Sequence, residues 1–150
     1  MTQKYEHIMV AVDGSSAAEL ALKKAINVAL RNDCRLTIAH IIDTRALQSV
    51  TTFDAEIYSQ LEEEATKLMQ GYQELAQQAG LTDLELVVEF GNPKTLLATT
   101  IPDDHGVDLI MVGATGLNAF ERLLIGSSSE YILRHAKVDL LIVRDQEKTL

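Results

Sequence analysis

The sequence is poor in the residue types that cross-link a chain or hold a metal. Cys34 is its one cysteine, so the chain has neither a disulfide framework nor a cluster of thiols for a metal ion. The four histidines lie far apart and show no ligand spacing, so we assign no metal site. Low-complexity tracts and internal repeats are also lacking. An ordinary folded domain is therefore the expected class, and 47% hydrophobic residues are typical of one.

Positive charge and long apolar runs are scarce as well. The chain has 13 Lys and Arg against 22 Asp and Glu, a net charge of −9. Nucleic acids and anionic membranes are bound by clustered Lys and Arg, so the composition argues against both partners. Neither a basic flank with an apolar segment at the N-terminus nor a run of membrane-spanning length is present, so we expect a cytoplasmic protein. An anionic ligand would have to be held by local backbone donors.

Five apolar segments predict the buried strands of one domain, residues 1–150. At this length a chain fits a single domain with one substantial core. Apolar runs without polar alternation are typical of strands that are covered on both faces. The runs cover residues 7–12, 35–42, 84–90, 109–112 and 140–143. The third run is more amphipathic at its ends, which makes it a candidate for the edge of the sheet.

Helical periodicity and capping residues predict helices in the stretches between these strands. A capping box starts the first helix at Ser16, and a second one starts the last helix at Gly126 or Ser127. A long amphipathic helix covers 54–79, and a short helix at 95–101 is limited by Pro102. Residues 44–53 predict a loop over the carboxyl end of the sheet. The alternation predicts an α/β fold with three α/β/α layers around an open five-stranded parallel sheet.

Three glycines follow the fourth strand and lead into the last helix. Gly113, Gly116 and Gly126 let the backbone turn and approach a ligand closely, and Ser127 opens the helix. A strand, a glycine-rich loop and a helix N-terminus offer unpaired N–H groups and a positive dipole end to an anion. The spacing is that of neither a Walker A loop nor a Rossmann fingerprint. We interpret the stretch as a phosphate-binding loop; the alternative is that the glycines serve only turns and a helix cap.

The spacing of these glycines resembles a known signature. Gly113, two residues, Gly116, nine residues, Gly126 and Ser127 are similar to the nucleotide-binding motif of the universal stress protein (UspA-like) family, in its ATP-binding branch. The Gly91–Asn92–Pro93 turn after the third strand is a further mark of that family. The resemblance covers the whole chain and implies the adenine nucleotide alpha-hydrolase-like strand order 3-2-1-4-5. In that order the switch point lies between strands one and four, where Asp13 and Gly113 sit.

The resemblance implies a site for ATP, or for ADP or AMP, with Mg²⁺ arriving through the phosphates if it binds. Asp13 would accept a hydrogen bond from the adenosine, although it could instead cap its own turn. Ile41, at the end of the second strand, would face the base, and Arg122 is either a phosphate ligand or an exposed arginine. The expected binding residues are Ala11, Asp13, Ile41, Val112, Gly113, Gly116, Gly126, Ser127, Ser128 and Ser129. Valine at both 113 and 126 is expected to abolish binding and leave the fold largely intact.

The last strand predicts a homodimer. Leu140, Leu141, Ile142 and Val143 form an apolar edge, which is an aggregation hazard unless it is covered. A two-fold partner that adds the same strand antiparallel would cover it, as the family resemblance implies. Where the family often has Cys-Pro, this chain has Val138–Asp139. Asp139 is either a gatekeeper against open-ended pairing or the partner of a basic residue such as Lys137 or Arg144 across the axis, so the register stays open.

The resemblance implies a nucleotide-responsive dimeric module in the stress response. We find no base beside a nucleophile, no arginine finger and no paired carboxylates, so we expect no dedicated enzyme and at most a weak ATPase. The motifs of synthetase-like nucleotidyl transferases are missing. Phe90–Gly91 stands where a phospho-receiver needs its aspartate. A slow ATP hydrolase and a nucleotide-free protein-interaction module of the same fold remain as alternatives.

Overall fold

The structure, a computed structural model, describes residues 4–44, 55–114 and 127–144. Its strands are β1 (His7–Ala11), β2 (Arg35–Asp43), β3 (Leu84–Gly91), β4 (Leu109–Gly113) and β5 (Asp139–Val143). Its helices are α1 (Ser16–Asn32), α2 (Ala55–Gln78), α3 (Pro93–Thr95), α4 (Ile101–His105) and α5 (Ser127–His135), and a π-helical turn (Leu96–Thr100) joins α3 to α4. Among the described residues, no helix is both long enough and apolar enough to cross a membrane.

The strands form a single parallel sheet in the order β3-β2-β1-β4-β5. This order confirms the predicted α/β fold, and it places β3 and β5 at the two edges. The inner strands β2, β1 and β4 carry fully buried side chains, among them Met9, Val10 and Ile110, each 0% exposed. Unalternated apolar runs predicted strands covered on both faces, and the centre of the sheet is buried in that way.

Each face of the sheet has its own hydrophobic core. On one face, Ile8 and Val10 of β1 pack with the helices α1 and α2. On the other face, Met9 packs with the π-helical turn, α4 and α5. Side chains that alternate along β1 therefore enter different cores. Small residues such as Ala21 and Ala25, both fully buried, let α1 approach the sheet closely.

One predicted helix cap and one predicted helix end were wrong. The helix α1 is capped by Ser15 rather than Ser16, since Ser15 Oγ accepts a hydrogen bond from Ala18 N at 3.1 Å. Pro102 does not end the short third helix, because the chain stays helical to His105. The wider π-helical turn accommodates the proline: the N–H of Ile101 donates to the carbonyl of Leu96, five residues back.

The other predicted boundaries agree closely with the structure. The helix predicted at 54–79 is α2, and Gly80 follows it with a φ of +96°, as a terminating glycine does. The last helix is described from Ser127, one of the two predicted starting positions, and the other, Gly126, lies outside the described residues. Most of the predicted loop at 44–53 lies outside the described residues.

Candidate functional site

A cleft opens at the carboxyl edge of the sheet, where β1 and β4 are neighbours. The chain leaves β1 toward α1 on one face, whereas α5 packs on the opposite face, so the two following segments diverge and leave a crevice. The cavity measures about 320 Å³, which is within the range of small-molecule sites. It is lined by Ala11, Val12, Asp13, Ser15, Ala17, Ala18, Ile41, Asp43, Pro93, Leu97, Val112, Gly113, Ser127, Ser128, Ser129 and Ile132.

Every predicted site residue that the structure describes lines this one cleft. They come from β1 and the turn after it, from β2, from β4 and from the start of α5: Ala11, Asp13, Ile41, Val112, Gly113, Ser127, Ser128 and Ser129. Gly116, Gly126 and Arg122 lie outside the described residues. The clustering is a finding about position, and the binding role of each residue remains a prediction.

The lining also contains residues that the sequence did not single out. Ile41 does not end the second strand, because β2 continues to Asp43, whose side chain also borders the cleft. Pro93 and Leu97 form the wall on the α3 side. Two features of the sequence could have indicated these positions. Asp43 directly follows the apolar run of the second strand, and Pro93 belongs to the turn after the third strand, so both are expected in loops at the carboxyl edge of the sheet.

Gly113 packs against the protein's own backbone. A Cβ built on Gly113 would lie 2.4 Å from the carbonyl oxygen of Ala17 and 2.6 Å from its carbonyl carbon, in the first turn of α1. Such distances require a shift of main chain, which is costly. The expectation that valine at position 113 would leave the fold largely intact was therefore wrong. Glycine is needed there so that β4 and α1 can approach each other.

Asp13 takes part in its own turn. Its Oδ1 accepts a hydrogen bond from the N–H of Ser15 at 3.0 Å, the turn-forming role considered for it. Asp13 is nevertheless exposed and lines the cleft. A carboxylate has two oxygens with several acceptor positions, so the turn and a ligand hydrogen bond are compatible.

The start of α5 supplies the polar wall of the cleft. Ser127 is exposed, Ser128 is half-buried and Ser129 is 5% exposed. The first N–H groups of a helix lack partners within it, and they lie at the positive end of the helix dipole. Glu130 does not compete for this position, because its carboxylate pairs with Arg134 at 2.9 Å. The wall therefore suits an anion.

The charged side chains among the described lining residues are the carboxylates of Asp13 and Asp43. No lysine or arginine within 4–44, 55–114 and 127–144 lines the cleft, so the donors that these residues offer to an anion are backbone amides and hydroxyls. In the same described ranges, no group of three or more His, Cys, Asp or Glu side chains is placed to hold a metal ion. The cleft is thus acidic at the ends of β1 and β2 and electropositive at the start of α5.

Comparison with known proteins assigns the fold to a family. Residues 4–144 match the model of the universal stress protein family. The chain belongs to this family. It is 48% identical over 143 residues to the universal-stress-protein relative SH1215 of Staphylococcus haemolyticus, across 95% of this chain and 87% of that one.

Solved universal stress proteins share the architecture. The UspA protein from Lactobacillus plantarum superposes with a TM-score of 0.76 at 27% identity, over 95% of this chain and 100% of that one. A universal stress protein crystallised in complex with cAMP superposes with a TM-score of 0.65 at 30% identity, over 94% of this chain and 98% of that one. Family and fold are therefore established from both sequence and structure.

In this universal stress protein, β5 is an edge strand that begins with an acidic residue, Asp139. Leu140, Leu141 and Ile142 are half-buried, and Val143 is buried. Asp139 is engaged within its own chain, because its Oδ2 accepts a hydrogen bond from the Tyr5 hydroxyl at 2.7 Å. This hydrogen bond and the nearby carboxylates raise the pKa of Tyr5. Asp139 thus ties the N-terminal segment to the edge strand, a role that neither predicted alternative included.

Proposed function

We propose that this universal stress protein binds an adenine nucleotide, ATP or alternatively ADP or AMP, in the cleft at the carboxyl edge of the sheet. The observation that carries the proposal is the convergence of the described motif residues, separated by about a hundred positions in the chain, on a single cavity. A relative at 30% identity was crystallised with an adenine nucleotide, cAMP. The cavity is also of a size that suits a small molecule.

The chemistry of the walls gives the ligand one orientation. Ala11, Ile41 and Val112 form an apolar side that would cover the base, with the main chain of Ile41 reading its edge. The amides of Ser127, Ser128 and Ser129 would hold the phosphates at the start of α5, together with Gly113, Gly116 and Gly126. Asp13 would accept a hydrogen bond from the adenosine. Any Mg²⁺ would come with the phosphates rather than with a protein cage.

We propose a nucleotide-responsive module in the cytoplasmic stress response rather than a dedicated enzyme. A wall made of main-chain amides and serines favours binding, whereas phosphoryl transfer also needs a positioned nucleophile and cations on the γ-phosphate. A weak ATPase activity is the most that we expect. The module would be a homodimer through Leu140, Leu141, Ile142 and Val143, because pairing with a second copy covers this apolar edge.

Copurification tests the proposal on the protein as it is made. The purified protein is denatured, and its supernatant is run on an anion-exchange column. We expect an adenine nucleotide at up to one equivalent per chain, and a rise in Tm when ATP is added to stripped protein. If no nucleotide copurifies and neither ATP, ADP, AMP nor cAMP raises the Tm, the nucleotide-free interaction module replaces the proposal.

A further inference from the structure

The turn between β1 and α1 is held from behind by side chains of two other elements. This turn, residues 12–15, lines the cleft through Val12, Asp13 and Ser15. His40 of β2 contacts it at Val12, with 2.8 Å between the ring Nδ1 and the carbonyl oxygen. Tyr72 of α2 contacts it at Gly14, with 3.2 Å between the amide nitrogen and the phenol oxygen. Both hydrogen bonds join segments that are far apart in the chain.

His40 fixes the end of β1. Because a carbonyl oxygen can only accept a hydrogen bond, Nδ1 of His40 carries a hydrogen and donates a hydrogen bond to the carbonyl of Val12. The N–H of Val12 donates in turn to the carbonyl of Ala39 at 2.9 Å. Val12 is therefore tied to β2 through both of its main-chain polar groups. Ile41, the next residue along β2, lines the cleft itself.

Tyr72 fixes the residue after Asp13. Its ring is 8% exposed, and burial raises the pKa of its phenol, which keeps the group neutral. The phenol oxygen accepts from the N–H of Gly14, whose φ of +87° belongs to the left-handed region that favours glycine. Leu68 of α2 fills the space beside Gly14, 3.8 Å from where a Cβ would lie. The turn thus rests on α2 through both a polar and an apolar contact.

We propose that His40 and Tyr72 are positioning residues of the nucleotide site, which hold Val12 and Gly14 on either side of Asp13. The inference rests on the proposed function. The carboxylate of Asp13 accepts a hydrogen bond from the N–H of Ser15. The orientation of this carboxylate therefore depends on the main-chain conformation of the turn. Once either support is lost, the turn samples other conformations, and part of the binding free energy is spent on ordering it. The two residues act through the turn and do not touch the ligand.

Tyr72→Phe tests the first support with a matched control. The variant keeps the buried ring and removes the acceptor of Gly14. Calorimetric titration with ATP should show affinity weaker by about three- to tenfold, the usual effect of one hydrogen bond. Tyr5→Phe is the control. It removes a hydroxyl that donates a hydrogen bond to Asp139 at the amino ends of the strands, whereas the cleft lies at their carboxyl ends. Its ATP affinity should equal that of the wild type. Wild-type affinity in Tyr72→Phe would overturn the inference.

His40 allows a rescue experiment. His40→Asn places a side-chain N–H₂ donor close to the position of Nδ1, whereas His40→Leu offers no donor. We expect the asparagine variant to retain most of the ATP affinity and the leucine variant to lose about three- to tenfold. Equal affinities in the two variants, or a loss of Tm with unchanged affinity, would show a purely structural role.

Amide hydrogen exchange of ligand-free protein separates this inference from the proposed function. In Tyr72→Phe the N–H of Gly14 should exchange faster than in the wild type, and in Tyr5→Phe it should not. A wild-type protein that binds no adenine nucleotide would overturn both the proposed function and the positioning role. A wild-type protein that binds ATP, with either Tyr72→Phe or His40→Leu binding it as well as the wild type does, would overturn the positioning role alone.

Discussion

Gly113 and Ala17 bring β4 and α1 into backbone contact, with only 2.4 Å between the position of a Gly113 Cβ and the Ala17 carbonyl oxygen. Any side chain at position 113 must therefore push α1 away from the sheet. We expect Gly113→Ala to lower the free energy of unfolding by about 1–3 kcal/mol and Gly113→Val to lower it further. Urea denaturation of the ligand-free protein measures the change.

Gly71 provides the control for this prediction. It lies within α2, and a Cβ there would meet nothing within 4 Å. Gly71→Ala should raise the free energy of unfolding by about 0.5–1 kcal/mol, because alanine is the better helix former. If Gly113→Ala proved as stable as the wild type, the close packing of β4 on α1 would be refuted.

The order of elements was predictable because each apolar run and each capping residue acts locally. Runs such as 7–12 and 109–112 lack polar alternation, which is enough to predict buried parallel strands. The grouping of Asp13 with Ser127 followed from the strand order, which the family resemblance supplied. Parallel strands end at a common edge, so the residues after β1 and β4 had to be near one another.

Other features depend on contacts that no local pattern reports. Ser15 and Ser16 have the same side chain, and which of them caps α1 depends on where the chain leaves β1. The hydrogen bond of Tyr5 to Asp139 joins residues 134 positions apart. The need for glycine at position 113 arises from the approach of another helix rather than from its own strand.

A polar chain at the amino end of the sheet predicts the dependence of stability on pH. His7 is 9% exposed, and its Nε2 lies 2.6 Å from the hydroxyl of Thr37, which in turn donates to Glu85. Burial lowers the pKa of His7 below its ordinary 6.5. A hydrogen bond with the backbone of His105 and the charge of Glu85 raise this pKa, and the charges of Arg35 and His105 lower it, with a net shift downward. The folded protein therefore binds fewer protons at His7 than the unfolded chain does, and stability should fall as the pH drops below about 6.5.

Glu85 adds a second pH range, more acidic than that of His7, in which the protein should lose stability. Burial alone would raise its pKa, but the hydrogen bond from Thr37 and the interactions with His105 and His7 outweigh burial and lower it. A carboxyl group with a lowered pKa stabilises the fold above its ordinary value of 4.5, and this contribution is lost as the pH falls through the folded pKa.

Urea denaturation between pH 8 and pH 5.5 isolates the histidine. His7→Gln keeps a hydrogen-bonding side chain next to Thr37 and removes the titrating ring. We expect the variant to lose less stability than the wild type over this pH range. Parallel curves for the two proteins would assign the pH dependence to other groups.

The edge strand predicts the oligomeric state. We expect sedimentation velocity to show a dimer, and Leu140→Lys to shift it to a monomer, because a two-fold axis brings like charges together on the paired strands. Val88→Lys is the matched control, since Val88 is 38% exposed on β3, the strand at the other edge of the sheet. A dimer that persists in Leu140→Lys would place the interface elsewhere.

Substitution of Ser128 by aspartate should raise the stability of the ligand-free protein and weaken its binding of ATP. A negative charge in the first turn of α5 interacts favourably with the helix dipole, so the ligand-free protein should be more stable by about 0.3–1 kcal/mol. The same charge repels phosphates at the amides of that turn. Ser128→Ala controls for loss of the hydroxyl alone and should change ATP affinity less than Ser128→Asp does.

Calorimetric titration of wild type and Ser128→Asp with ATP and with adenosine tests the phosphate site most directly. We predict one ATP bound per wild-type chain, ATP affinity about tenfold weaker or worse in the variant, and nearly unchanged adenosine affinity. ATP affinity that is equal in the two proteins would contradict a phosphate site at the N-terminus of α5.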